Sequence, residues 1–137
     1  MEHVICYIST ATQNLNSDEV QSLLEEWKQT NLKKELRGIL LFSGGHFFQV
    51  LEGKKESVLE MFFKIQNDPR HTDIIQVMGK DIQKPSLDHY VVENLYGKHY
   101  SKPEVIEGYL ESVKGMNPEV QLQIKTILES FIDTRVM

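Results

Sequence analysis

Apolar and polar positions alternate with two different periods along the chain. Val4-Ile5-Cys6-Tyr7-Ile8 is a short β-branched apolar run, the pattern of a strand buried on both faces, with Tyr7 among its neighbours. Asn16 and Glu19 make a capping box, Leu15 and Val20 a staple, and Val20, Leu23, Leu24 and Trp27 then repeat at helical spacing. Two further apolar runs, Leu36 to Phe42 and His46 to Leu51, flank Ser43-Gly44-Gly45, whose glycines suit a tight hairpin. On the second run Phe47, Gln49 and Leu51 share one face, and Phe48, Val50 and Glu52 the other, so Gln49 sits between bulky apolar neighbours. Val58, Met61, Phe62 and Ile65 form a second helical stripe, which Asp68-Pro69 ends. Thr72 to Val77 reads as a fourth strand and Tyr90 to Leu95 as a fifth. Two helices follow: one from the capping box Ser101-Lys102-Pro103-Glu104 to Gly115, one after Asn117-Pro118 with the stripe Val120, Ile124, Ile127, Leu128 and Phe131.

This order predicts an α+β fold: a ferredoxin-like βαββαββ sheet with two helices on one face, plus two C-terminal helices. Residues 1–97 form the sheet-bearing domain and 98–137 a helical extension. The fold hosts many unrelated functions, so function must come from particular residues.

Composition narrows the field. With 137 residues, 40% hydrophobic and 26% charged, the chain has the make-up of one soluble globular core. Fifteen Lys and Arg against twenty Asp and Glu give a net charge of −5, the wrong sign for binding phosphate backbones, so no nucleic-acid partner is expected. No run of about 18 uncharged apolar residues occurs, and Met1-Glu2-His3-Val4 does not open a signal peptide, so no membrane partner and a cytoplasmic location are expected. Cys6 is the single cysteine, which excludes an internal disulfide, and no Cys or His pair has zinc-site spacing, so no metal is expected. No GxGxxG, P-loop, G-x-S-x-G or HExxH occurs, which points away from an enzyme.

Three polar side chains need explaining: Tyr7 in its apolar strand, Asn31 past the first helical stripe, and Gln49 between aromatic neighbours. An unsatisfied buried amide or hydroxyl costs about 1–3 kcal/mol, so Tyr7 and Gln49 are expected to bond each other, the backbone or a ligand. Taken singly, each has a plain alternative. Tyr7 reaches water, Asn31 caps a helix, or Gln49 faces solvent.

Taken together, Tyr7-Ile8-Ser9, Asn31, the segment Leu36-Arg37-Gly38 through Phe48-Gln49-Val50-Leu51-Glu52-Gly53, and Asp68-Pro69-Arg70-His71 resemble the BLUF family of flavin-using blue-light sensors. The likeness runs from about residue 3 to 95, and Tyr7, Asn31 and Gln49 fall at the family's spacing without gaps. It implies FAD with its ring between the two helices. By position, Tyr7 and Gln49 are the photoactive pair, and the cofactor-binding set is Tyr7, Leu24, Asn31, Gln49, Lys64, Ile65, Asp68, Arg70 and His71. It further implies that light drives electron and proton transfer from Tyr7, after which the Gln49 amide is rotated or tautomerised. Three positions depart from the family pattern: Tyr90 where Trp is usual, Val92 where Met is, and Arg37 where Thr is frequent. The helical extension resembles the tail of short stand-alone members, which implies homo-oligomers and a separate protein effector.

Two rival readings remain at this level. An acylphosphatase-type enzyme needs a basic residue in the loop after the first strand, and Ser9-Thr10-Ala11-Thr12-Gln13-Asn14 has none. A flavin-free regulatory or oligomerisation module of the same fold is the alternative that the altered fifth strand leaves open.

Overall fold

The computed structural model describes residues 1–12, 16–82, 90–94, 107–111 and 118–136. In chain order the elements are β1 (Glu2–Ala11), α1 (Ser17–Lys33), β2 (Arg37–Ser43), β3 (His46–Lys54), α2 (Lys55–Gln66), β4 (His71–Ile82), β5 (Tyr90–Asn94) and α3 (Pro118–Val136), with a helical stretch at 107–111 before α3. The strands form one sheet in the order β4-β1-β3-β2-β5. Neighbours are antiparallel except β5, which runs parallel to β2. This is the expected ferredoxin-like sheet extended by one edge strand.

Local chemistry explains where the elements begin and end. The Asn16 side chain accepts from the Glu19 N–H while the Glu19 carboxylate accepts from the Asn16 N–H, closing the capping box that starts α1. At the other end Leu36 N–H donates to the Asn31 carbonyl and Glu35 N–H to that of Leu32, both at 3.0 Å. This is a Schellman stop in which Glu35, at φ 58°, takes the left-handed position usually given to glycine. Gly44 and Gly45, at φ 58° and 84°, turn the β2–β3 hairpin as their sequence predicts.

β4 is longer than the Thr72–Val77 run that its apolar residues mark, because pairing with β1 carries it through the polar Gly79, Lys80 and Asp81 to Ile82. An edge strand facing water gives little hydrophobic signal there. Leu15, Leu95, the capping box at Ser101 and the helix stop at Gly115 lie outside the described residues.

The sheet separates two cores. On one face Ile5, Tyr7, Leu40, Phe42, Phe47 and Leu51 meet Val20, Leu23 and Leu24 of α1 and Val58, Met61 and Phe62 of α2. On the other, Val4, Cys6, Ile39, Leu41, Phe48 and Val50 meet Val120, Ile124, Leu128 and Phe131 of α3. The stripe read from the sequence of α3 is therefore the face it lays on the sheet, with Ile127 partly buried beside it. Between α1, α2 and the first face a cleft remains open.

Candidate functional site

Strand periodicity brings the polar side chains to that cleft. Tyr7 and Gln49 are directly opposed across the β1–β3 ladder, and Gln49 is opposed to Leu40 on its other side, so its backbone is held from both flanks. Asn31 comes in from the last turn of α1, fixed by the Schellman stop through its own carbonyl. All three are almost wholly buried.

They form one hydrogen-bonded chain. Gln49 Nε2 donates to the Tyr7 hydroxyl at 2.5 Å. Gln49 Oε1 accepts from Asn31 Nδ2 at 3.3 Å and from the Tyr90 hydroxyl, and Asn31 Nδ2 also donates to the Tyr90 oxygen at 2.7 Å. The expectation that Tyr7 and Gln49 satisfy each other holds. Asn31 combines both of its readings, since its backbone ends the helix while its amide serves the cluster. Burial pushes the Tyr7 phenol well above the usual tyrosine range, with the Gln49 hydrogen bond pulling the other way. Burial raises Tyr90 likewise, with the neighbouring Tyr7 adding to the rise. Both phenols therefore keep their protons at neutral pH.

The cleft, about 260 Å³, is lined by Tyr7, Asn31, Gln49, Lys64, Ile65, Asp68 and Arg70 from the expected set, and by Glu26, Trp27, Thr30 and Met61 besides. Trp27, legible in the sequence only as part of a core stripe, packs against Phe47 at 5.0 Å and His71 at 5.5 Å between ring centroids and presents part of its surface to the cleft. Its place one helical turn before Asn31 is the signal that marks it, together with Glu26 and Thr30, as cleft-facing.

Two expected residues stand behind the lining. Leu24 is fully buried in the core under α1. His71 is buried too: its Nε2 donates to the Ile65 carbonyl and its Nδ1 pairs with the Ser9 hydroxyl, both at 2.7 Å. It thereby fixes the backbone of Ile65, a lining residue.

Arg70 stands at the mouth. Its Nε and Nη2 grip Asp68 at 2.9 and 2.7 Å, its Nη1 reaches Glu26 across the opening, and its guanidinium lies 5.4 Å over the Trp27 ring. The Arg70 hydrogen bonds lower the Asp68 carboxyl below its ordinary range. Beyond Arg70 a second, wider cavity of about 570 Å³ is bounded by Thr12, Ser22, Leu23 and Pro69, with Asp18 and Glu19 at its rim.

The fifth strand carries the residue that the sequence left unexplained. Tyr90 lies opposite Gly38, and a Cβ on Gly38 would run into the Val50 carbonyl oxygen and stand 3.2 Å from the Tyr90 ring. Glycine at position 38 thus leaves room for the Tyr90 ring, whose hydroxyl reaches Gln49. Arg37, beside it, is held by Glu2 at 2.7 Å and by the buried Glu52 at 3.3 Å, a structural role remote from the cleft.

Residues 3–92 match the family model described as sensors of blue-light using FAD. The chain belongs to the BLUF family. Members are blue-light sensors that use flavin, and the BLUF domain is a sensor module, not an enzyme. The antirepressor BluF of Escherichia coli, described as blue light- and temperature-regulated, is 38% identical over 69 residues, 47% of this chain and 17% of that protein. The beta subunit of the photoactivated adenylate cyclase of Euglena gracilis is 26% identical over 135 residues, 97% of this chain and 15% of the cyclase. The chain thus spans less than a fifth of these two relatives' length. Among solved structures, the BlrP1 BLUF domain superposes with a TM-score of 0.75 at 28% identity, covering 96% of this chain and 90% of that one. Klebsiella pneumoniae BlrP1 with FMN and cyclic diGMP gives 0.78 at 28% identity, over 97% of this chain and 36% of that one. Among the described residues no group of His, Cys, Asp or Glu is placed to hold a metal ion, and no helix is long and apolar enough to cross a membrane.

Proposed function

We propose that this chain is a blue-light photoreceptor that holds FAD in the cleft between α1 and α2, with Tyr7 and Gln49 as its photoactive pair. The observation that carries the reading is the Tyr7–Gln49 hydrogen bond on the inner wall of that cleft, with a second amide, Asn31, beside it. The residues present suit a flavin. Trp27, Met61 and Ile65 offer apolar surface to a flat ring, and the amides of Asn31 and Gln49 offer both donors and acceptors to its polar edge. Lys64 in the cleft and Arg70, which lines both the cleft and the wider cavity and is paired with Asp68 and Glu26, are the lining cations that the phosphates of FAD would meet. Leu24 and His71 support the wall from behind.

Bound flavin supplies the absorption of blue light and an acceptor for one electron. Tyr7 would hand an electron and its phenolic proton to the excited flavin and would take both back on recombination. It is the nearest phenol to Gln49 Nε2, and its burial holds the proton until light removes it. The Gln49 amide is the two-state element: turning end for end exchanges its donor and acceptor without moving a backbone clamped between β1 and β2.

The light-sensing unit is residues 1–97, and output passes through the extension 98–137 to a second copy or a separate protein effector. Support for this is that α3 covers the face of the sheet opposite the cleft, one strand thickness from Gln49. The net charge of −5 favours a protein partner over nucleic acid, and we place the protein in the cytoplasm.

Purified protein is expected to be yellow, to release FAD on denaturation and to show a reversible red shift under blue light. Tyr7→Phe is expected to bind flavin and lose that shift. A colourless protein that refuses added flavin overturns the reading in favour of a flavin-free module, and a full red shift in Tyr7→Phe overturns the mechanism.

A further inference from the structure

The hydrogen bonds of the cluster all point the same way. Asn31 Nδ2 donates to the Tyr90 oxygen, Tyr90 O–H donates to Gln49 Oε1, and Gln49 Nε2 donates to the Tyr7 oxygen. The chain therefore alternates amide, phenol, amide, phenol across α1, β5, β3 and β1. Every member has both a donor and an acceptor, so each bond between neighbours in the run can be made in the opposite sense. A tryptophan or methionine at position 90 would break this property, because an indole N–H only donates and a thioether has no proton to give.

We infer that Tyr90 makes the switch a relay: when the Gln49 amide turns, the direction of donation reverses from Tyr7 through Gln49 and Tyr90 to Asn31. In the reversed state Tyr7 O–H donates to Gln49 Oε1, Gln49 Nε2 donates to Tyr90, and Tyr90 O–H donates to Asn31 Oδ1 after the Asn31 amide has turned in its place. No covalent bond forms or breaks, and each proton stays on its own heavy atom.

Without Tyr90 the turned Gln49 amide meets Asn31 Nδ2, donor against donor, unless the Asn31 amide turns as well and gives up its resting contacts. The resting state needs no such second turn, because there Asn31 already donates to Gln49 Oε1 at 3.3 Å, so the turned state loses more. The burial that keeps Tyr90 protonated keeps its hydroxyl able to take either part. The relay also carries the event out of the cleft wall to two places at once: the last turn of α1 and the first residue of β5.

The inference rests on Gln49 as the group that turns, and two measurements on Tyr90→Phe separate its failure from a failure of the photoreceptor reading. In flavin-free protein, proton NMR is expected to find the Tyr90 hydroxyl proton protected from exchange with water, and this resonance is absent in Tyr90→Phe. A hydroxyl proton exchanging as freely as that of an exposed tyrosine overturns the relay whatever the light response. In FAD-loaded protein, Tyr90→Phe is expected to keep the red shift and to return to the dark state about tenfold faster or more, the size of one unmade buried hydrogen bond. An unchanged or slower return overturns the relay while leaving Tyr7 and Gln49 in their roles. Absence of any red shift in the unsubstituted protein overturns the photoreceptor reading, and the relay with it.

Discussion

Val4, Cys6, Phe48 and Val50 on one face of the sheet pack into an apolar layer with α3, while Tyr7 and Gln49, one residue along the same two strands, meet an asparagine and a second tyrosine on the other. The two faces share a backbone, a register and almost complete burial. They differ in what covers them. One helix lies flat on the outer face. Two helices cover the inner face and leave a cleft lined from both, so polar groups there can serve a ligand as well as each other. A buried polar group is costly unless it has partners. The inner face joins four such groups in one chain, whereas the outer face, by strand alternation, carries the buried Glu52 paired with Arg37 and the buried Ser43.

The largest expected effect lies on the outer face. Leu128→Ala leaves a void under α3 and should cost about 2–5 kcal/mol, read as a lowered denaturant midpoint, while flavin binding and the light-induced shift survive in the folded fraction. Loss of the shift in protein that is still folded would break the separation of the faces. Next comes Gln49→Leu on the inner face, which removes the partner of Tyr7 and of Tyr90. Stability should fall by about 1–3 kcal/mol, less than for Leu128→Ala, yet the red shift should vanish altogether. If absorbance under blue light still shows a normal shifted state, the comparison is wrong about which face carries the response.

The smallest effect belongs to the rim. The Arg70 hydrogen bonds hold Asp68 below the ordinary aspartate value of about 3.9, so the folded chain binds this proton less readily than the unfolded one. The stabilisation is fully present above that ordinary value and drains away as pH falls through the lower folded one. Asp68→Asn should therefore flatten the acid limb of a stability–pH curve and leave the curve above pH 5 parallel to that of the parent. An unaltered acid limb would remove Asp68 from the account of the rim.

Much of this architecture was legible in the chain. The Ser43-Gly44-Gly45 turn, the Asn16–Glu19 box and the α3 stripe are local signals, and each is found where its residues place it. That Phe47, Gln49 and Leu51 share a face needed only the period of a strand, while packing against α1 and α2 decides that it is the inner one. What stayed hidden depends on distant pairing. The ends of β4 are set by its ladder with β1 and not by its own apolar residues. Tyr90 reads as a mere replacement until β5 is laid parallel to β2, which brings its hydroxyl to a glutamine 41 positions away. Trp27 reads as core because a partly buried aromatic at helical spacing gives the same pattern whether it faces a neighbour or a cleft.

The Schellman stop at the end of α1 joins architecture to chemistry in one residue. The Asn31 carbonyl fastens the chain reversal, and the Asn31 amide belongs to the polar chain. The helical spacing from the α1 stripe to Asn31 is therefore a ruler for the cleft. Inserting a single amino acid into α1 between Leu24 and Asn31 carries the amide about 100° around the helix axis, away from Gln49, even when every side chain of the polar chain is retained. For anyone recombining BLUF modules, the safe crossover points lie on either side of residues 31–36, and that short turn travels with the site or not at all.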